Sequence, residues 1–204
     1  MTTARQTVDP TLFNPEFDFP YQLRGQDFQG AMQDAYDFFF DVNELLLGRG
    51  LERLDDMLRP AAMTGILSDL LTASVARQSR VLRENGHHNG HPDLVPNGFY
   101  ANNTVDSGQE GVEIKSTRKP GGAVDTHGAR DQWMCVFVYR IDDTTQPMRA
   151  RRPMKFIAVY LAKVEVADFR QNARGPLGTR TATLHAQGVQ KLRRGWVYLD
   201  TSSA

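Results

Sequence analysis

Asp93, Glu113 and Lys115 are the residues of this 204-residue sequence whose types and spacing could do chemistry as a set. They lie in two short stretches, His91-Pro92-Asp93-Leu94-Val95-Pro96 and Gly111-Val112-Glu113-Ile114-Lys115-Ser116-Thr117, separated by a polar segment over 97–110. Side chains alternate faces along a strand. Val112 and Ile114 therefore share a core-facing side, and Glu113 and Lys115 share the other. Asn97-Gly98, Asn102-Asn103 and Ser107-Gly108 are turn formers, which lets the second strand return beside the Asp93 segment. Such a hairpin would gather Asp93, Glu113 and Lys115 in one polar pocket. Two carboxylates suit Mg²⁺, a hard cation that takes oxygen ligands and keeps several waters. The ion polarises a phosphate and acidifies water. A neighbouring lysine orients or helps deprotonate that water and adds positive charge where negative charge develops. Hydrolysis of a phosphodiester needs this set of groups. Glu-x-Lys alone is a weak pattern, because an exposed strand face of alternating charge produces it too. The apolar partner face, the Pro-Asp upstream and the turn residues between them carry the reading further.

At this point the residues resemble the PD-(D/E)xK nuclease superfamily. The segment Asn102-Asn103-Thr104-Val105-Asp106-Ser107-Gly108-Gln109-Glu110-Gly111-Val112-Glu113-Ile114-Lys115-Ser116 is similar to the catalytic stretch of small type II restriction endonucleases of the blunt-cutting branch. The resemblance covers about residues 85–145, with the flanks following only in general order. It implies a restriction-endonuclease-like fold and Mg²⁺-dependent cleavage of double-stranded DNA by direct water attack, leaving 5′-phosphate ends. Asp93 and Glu113 would be the metal ligands and Lys115 the residue that positions water. A homodimer is implied by the two-fold symmetry of a short palindromic target. One departure stands out: the similar enzymes carry an aspartate near the position of Asn103. The first metal carboxylate is then Asp93, or Asp106 after a small shift; Pro-Asp favours Asp93. A repair or methylation-sensing nuclease with the same active site, or a catalytically silent DNA-binding module, are the alternatives.

Other residues offer contacts rather than catalysis. After the Lys115 strand, Gly121-Gly122 and Gly128 let backbone approach a ligand, and His127 and Arg130 offer donors to phosphates or bases, as the matching loops of restriction enzymes do. Arg180, Lys191 and Arg193 could hold a phosphate backbone or read guanines, although a solvated basic face explains each of them equally well. Glu110 and Glu44 are read as solvated. His87, His88 and His91 raise zinc, but no paired cysteines accompany them, and a polar loop over DNA is the preferred reading. The single cysteine, Cys135, lies in the apolar run Trp133–Val138 and is read as a buried, inert thiol.

The elements that must position these groups follow from periodicity. Phe28, Ala31, Met32, Ala35, Tyr36, Phe39, Val42, Leu45 and Leu46 predict an amphipathic helix over 26–47. Gly48-Arg49-Gly50 breaks it. A short second helix carries Leu51, Leu54, Met57 and Leu58, and a third is predicted from about Ala62 to Arg83, its last-turn arginines (Arg77, Arg80, Arg83) complementing the helix dipole. Strand-like runs follow over 93–96, 111–117, 133–141, 154–166 and 195–199. Helices first and a small mixed sheet later predict an α/β (α+β) chain forming one domain over 1–204. Its parts are helical over 1–84, a catalytic sheet core over 85–166 and a DNA-contacting part over 167–204, with residues 1–25 an ordered arm. At 40% apolar residues with one cysteine, the chain reads as a globular protein of a reducing cytoplasm. No apolar run is long enough to span a membrane, and the first residues lack an apolar signal core, so export is not expected. The zero net charge hides an asymmetry. Residues 1–114 hold 8 basic and 17 acidic side chains, and residues 115–204 hold 16 and 7. Either the second half faces a polyanion, or the two halves attract each other.

Overall fold

The computed structural model describes residues 5–122, 124–126, 128–171 and 181–203. Helix α1 (Gly25–Gly48) starts where Asp27 accepts a hydrogen bond from the Arg24 amide at 2.9 Å, and its predicted stripe is buried from Phe28 to Phe39. Helix α2 (Leu54–Met57) is a single turn, and α3 runs from Pro60 to Gln78. Pro60 suits the first turn, where its missing N–H costs nothing.

Helix α3 ends five residues before the predicted boundary, and the cause is local. Ser79 Oγ accepts hydrogen bonds from the amides of Val81 and Leu82, a side-chain-to-backbone bond that competes with continuing the helix. The chain then turns into strand β1 (Leu82–Glu84). Arg80 and Arg83 therefore lie beyond the helix, and of the three arginines only Arg77 is in its last turn.

The remaining strands are β2 (Leu94–Pro96), β3 (Val112–Thr117), β4 (Asp125–Thr126), β5 (Gln132–Arg140), β6 (Lys155–Val164), β7 (Phe169–Gln171), β8 (Ala182–Leu184) and β9 (Trp196–Leu199). A mixed six-stranded sheet has the order β1-β2-β3-β5-β6-β9, with β3 and β5 parallel and the other pairs antiparallel. The predicted α+β class is what the structure has: helices first, then this mixed sheet. Two features cross the part boundaries predicted from sequence. β1 begins before residue 85, and β9 joins the central sheet from the C-terminal part.

Both faces of the central strands are apolar, as expected for strands covered on each side. Cys135, Phe137 and Tyr139 of β5 join Val112 and Ile114 of β3 against α1 and α3. Met134, Val136 and Val138 face the opposite way, into a second core closed by a small sheet (β4-β8-β7) and by helix α4 (Ala186–Arg194) through Leu192. Helix α3 is tied to β3 through Ser116, whose Oγ donates to Thr64 O (3.1 Å) and accepts from Ser68 Oγ (3.2 Å). Among the described residues, no helix is long and apolar enough to cross a membrane.

Candidate active site

The site is built where β2 meets β3. Leu94 pairs with Val112 in antiparallel register, and extending that register by one residue sets Asp93 opposite Glu113. Asp93 turns its carboxylate back onto β3, with Oδ2 accepting from the Ile114 amide at 2.7 Å. The two segments approach so closely that only glycine fits at 111. Its φ is +138°, and a Cβ there would stand 2.0 Å from Leu94 O and 2.5 Å from Pro92 Cγ.

Asn85 organises the loop that carries His91 and Asp93. Its Nδ2 donates to Pro92 O (3.0 Å) and Val105 O (2.8 Å), its Oδ1 accepts from the amides of His87 and Val105, and its own amide donates to Asp93 O (2.9 Å). Asparagine can do this because its amide carries two donors and an acceptor. Such a side chain pins two backbone strands that have no ladder of their own.

Around this hairpin the side chains converge. Glu113 is only 1% exposed, and both its oxygens are engaged. Oε1 accepts from Lys115 Nζ at 2.5 Å, and Oε2 lies 3.2 Å from His91 Nδ1. Lys115 Nζ also stands 3.6 Å from Asp93 Oδ2 and donates to Ile114 O at 3.2 Å. One ammonium thus lies between two carboxylates. One donor atom each from His91, Asp93 and Glu113 lies within 4.8 Å of the others, a grouping able to hold a metal ion.

Burial makes the electrostatics unequal. Burial pushes the Glu113 carboxyl up, but the His91 hydrogen bond and the Lys115 ammonium outweigh it and hold the group down at about 2. For Asp93 burial prevails: its carboxyl is raised despite Lys115, with the Glu113 charge adding to the rise. Burial alone would lower the Lys115 ammonium, yet Glu113 and Asp93 together raise it. Two carboxylates pushed apart in this way beside a lysine held charged mark a candidate functional site.

The two carboxylates of this group are donors that a hard divalent cation such as Mg²⁺ takes. Asp93 and Glu113 supply hard oxygens, and the contacts of Asp93 with Ile114 and Lys115 both run through Oδ2, which leaves Oδ1 for a cation. The structure brings Asp93, Glu113 and Lys115 together. It does not bring Asp106 to them. The Asp106 side chain is 83% exposed, 3.8 Å from His87 Nδ1, and outside the His91–Asp93–Glu113 group. Asn103 is a turn residue at φ +54°, accepting from the Gly98 amide at 2.7 Å. Glu110 accepts from the Tyr21 hydroxyl at 2.9 Å, at the edge of the same hairpin.

His87 and His88 are exposed, and only His91 of the three joins the carboxylates. Cys135 is fully buried, which pushes its thiol well up and leaves it inert. Among the expected nucleic-acid contacts, His127 and Arg180 lie outside the described residues. Arg130 lies three residues before Trp133, which pairs with Val112, so it sits at the same end of the sheet as Glu113. Lys191 is committed to ion pairs with Asp168 (2.9 Å) and Glu165 (3.4 Å). Arg193, in the last turn of α4, is exposed. Helix α4 covers the same sheet face that carries Glu113 and Lys115.

Of two further residues of the site, the sequence raises His91 only as a zinc candidate with His87 and His88, and does not single out Asn85. His91 reads with its neighbours as part of a polar loop, although its place two residues before Asp93 is a usable signal. Asn85 reads only as a turn former. No protein-family model matches the sequence, and no curated protein matches it either.

Proposed function

We propose that the protein is a Mg²⁺-dependent endonuclease that hydrolyses phosphodiester bonds of double-stranded DNA at a short specific site, in the manner of a type II restriction enzyme. One observation carries the reading: Lys115 Nζ lies 2.5 Å from Glu113 and 3.6 Å from Asp93, in a cluster whose carboxylates converge with His91. Asp93 and Glu113 would hold the cation, which when bound would polarise the scissile phosphate and acidify water. Lys115, charged and fixed by two carboxylates, orients the attacking water and neutralises charge that grows on the phosphate. The buried Glu113 keeps this lysine in place, and the Asn85 network keeps Asp93 across from it.

The exposed Arg193 on α4, and Arg130 at the same end of the sheet as Glu113, would supply cations toward a duplex. Among the described residues, Lys191 and Arg118 pair within the basic second half, with Asp168 and Asp143, whereas Lys115 and Arg151 pair with the acidic half. A homodimer acting on a palindromic site in the cytoplasm completes the proposal.

The test is a plasmid digestion with and without Mg²⁺, followed by sequencing of the ends. Wild-type protein is expected to give discrete fragments with 5′ phosphates. Glu113→Ala and Lys115→Ala are each expected to lose at least ~10²-fold in rate while still shifting DNA in a gel. Full cleavage by both variants would overturn the reading.

A further inference from the structure

We infer that His91 is a third metal donor, and that it makes the site select a first-row transition ion such as Mn²⁺ over Mg²⁺. The inference rests on the proposal that Asp93 and Glu113 hold a divalent cation, and extends it to which divalent ion the same site binds more tightly.

His91 is fixed where a ligand would be needed. It stands two residues before Asp93 and is 15% exposed. Its loop is anchored on both sides of the ring: its amide donates to Asp106 O at 2.9 Å, and its carbonyl accepts from the Gly108 amide at 2.7 Å. Its Nδ1 lies 3.2 Å from Glu113 Oε2. A hydrogen bond accounts for that separation, and so does a shared ion. Adjacent ligands on an octahedral cation with bonds of ~2.1 Å stand about 3 Å apart. The spread of 4.8 Å across the three donors is likewise close to what one ion can bridge after small side-chain movements.

Ligand chemistry then sets the preference. Carboxylate and water suit Mg²⁺ and Mn²⁺ alike, whereas imidazole suits transition ions and is a poor ligand for Mg²⁺. A set of two carboxylates and one imidazole therefore gains from its nitrogen only with a transition ion. The neighbouring Lys115 repels any cation equally, so it does not alter the choice.

The experiment measures binding of Mn²⁺ and of Mg²⁺ to the full chain by titration calorimetry without DNA, for wild type and His91→Ala, with folding checked by circular dichroism. Wild type is expected to bind Mn²⁺ at least tenfold more tightly than Mg²⁺. His91→Ala is expected to lose about tenfold for Mn²⁺ and less than twofold for Mg²⁺. Equal losses for both ions, or no loss for Mn²⁺, overturn the inference. Electron spin-echo spectra of Mn²⁺ on the wild-type protein give a second readout that needs no variant. Imidazole-nitrogen modulation supports His91 as a ligand, and its absence refutes it. The plasmid digestion is scored separately. Nitrogen-coupled Mn²⁺ without cleavage under any ion sinks the nuclease reading and leaves this inference standing, while cleavage by an enzyme whose Mn²⁺ shows no nitrogen coupling does the reverse.

Discussion

Gly111→Ala should destabilise the protein more than most single-methyl additions, and the structure gives the size. At φ +138° the residue occupies backbone space that L side chains rarely adopt, and the new Cβ would lie 2.0 Å from the Leu94 carbonyl oxygen. That oxygen belongs to the strand that aligns Asp93, so relief requires β2 and β3 to part rather than a side chain to rotate. Backbone strain of this kind costs about 1–3 kcal/mol, and forced repacking about 1–3 more. A loss of roughly 3 kcal/mol or more is expected, or about 6–12 °C in Tm for a chain of this size. Urea denaturation followed by circular dichroism measures it. Gly65→Ala is the internal control: Gly65 lies inside α3, and a methyl group added there would meet nothing within 4 Å, so Ala there should stabilise by about 0.5–1 kcal/mol. If Gly111→Ala unfolds within ~0.5 kcal/mol of wild type, close backbone approach is not what the glycine is for, and Gly111 does not set the geometry of the site.

Three further outcomes follow. Asn85→Ala should cost about 1–3 kcal/mol by stranding the backbone groups it serves, and should weaken Mn²⁺ binding even where the variant is folded; unchanged metal affinity would show that the loop holds Asp93 without it. Arg53 is 4% exposed and holds Asp56 at 2.9 Å and Asp55 at 3.5 Å. Arg53→Met should cost about 3–5 kcal/mol by leaving buried charge uncompensated, and chemical denaturation at pH 7 reads it directly. Burial pushes the Asp200 carboxyl up, but Lys155 and Ser202 outweigh it and hold it at about 2 against the ordinary 3.8. A depressed folded-state value means the contribution is present above about pH 4 and is lost as pH falls through about 2. It is worth roughly 2 kcal/mol at most, so Asp200→Asn should flatten the acid limb of the stability curve between those values, and an unchanged limb would remove Asp200 from the account.

The hairpin is legible in the sequence because its signals are local. Alternation sets which faces Val112, Ile114, Glu113 and Lys115 occupy, and turn formers predict the return of the chain. The end of α3 is not legible in the same way, because Val81 and Leu82 continue a helical apolar spacing, and only the Ser79 hydroxyl, with its bonds to two amides, stops the helix. Helix α4 escapes periodicity for the opposite reason: it offers just Val189 and Leu192 as apolar anchors, among Gln, Lys and Arg. The small sheet β4-β8-β7 pairs residues far apart in sequence, and no periodicity within a short strand encodes its partner. His91 belongs to this class as well, since its link to Glu113 spans the whole hairpin.

That link explains how a carboxylate 1% exposed can persist in a sheet whose two faces are largely apolar. On the sheet face shared by Glu113 and Lys115, the neighbouring β5 positions are Met134 and Val136, buried under the second core. An isolated carboxylate beside them would protonate rather than stay charged. Here Lys115 takes one oxygen and His91 the other, and the combined effect holds the group low despite its burial. Removing either partner should therefore raise the Glu113 carboxyl, and for Lys115 the cause is the loss of a positive charge at 2.5 Å. Carbonyl-region infrared spectra of protein labelled with ¹³C-glutamate can follow this, through a protonated-carboxyl band that develops at higher pH in Lys115→Met than in wild type. A band with the same midpoint in both proteins would mean that the lysine does not hold the glutamate charged, and the electrostatic case for Lys115 as a catalytic residue would fall with it.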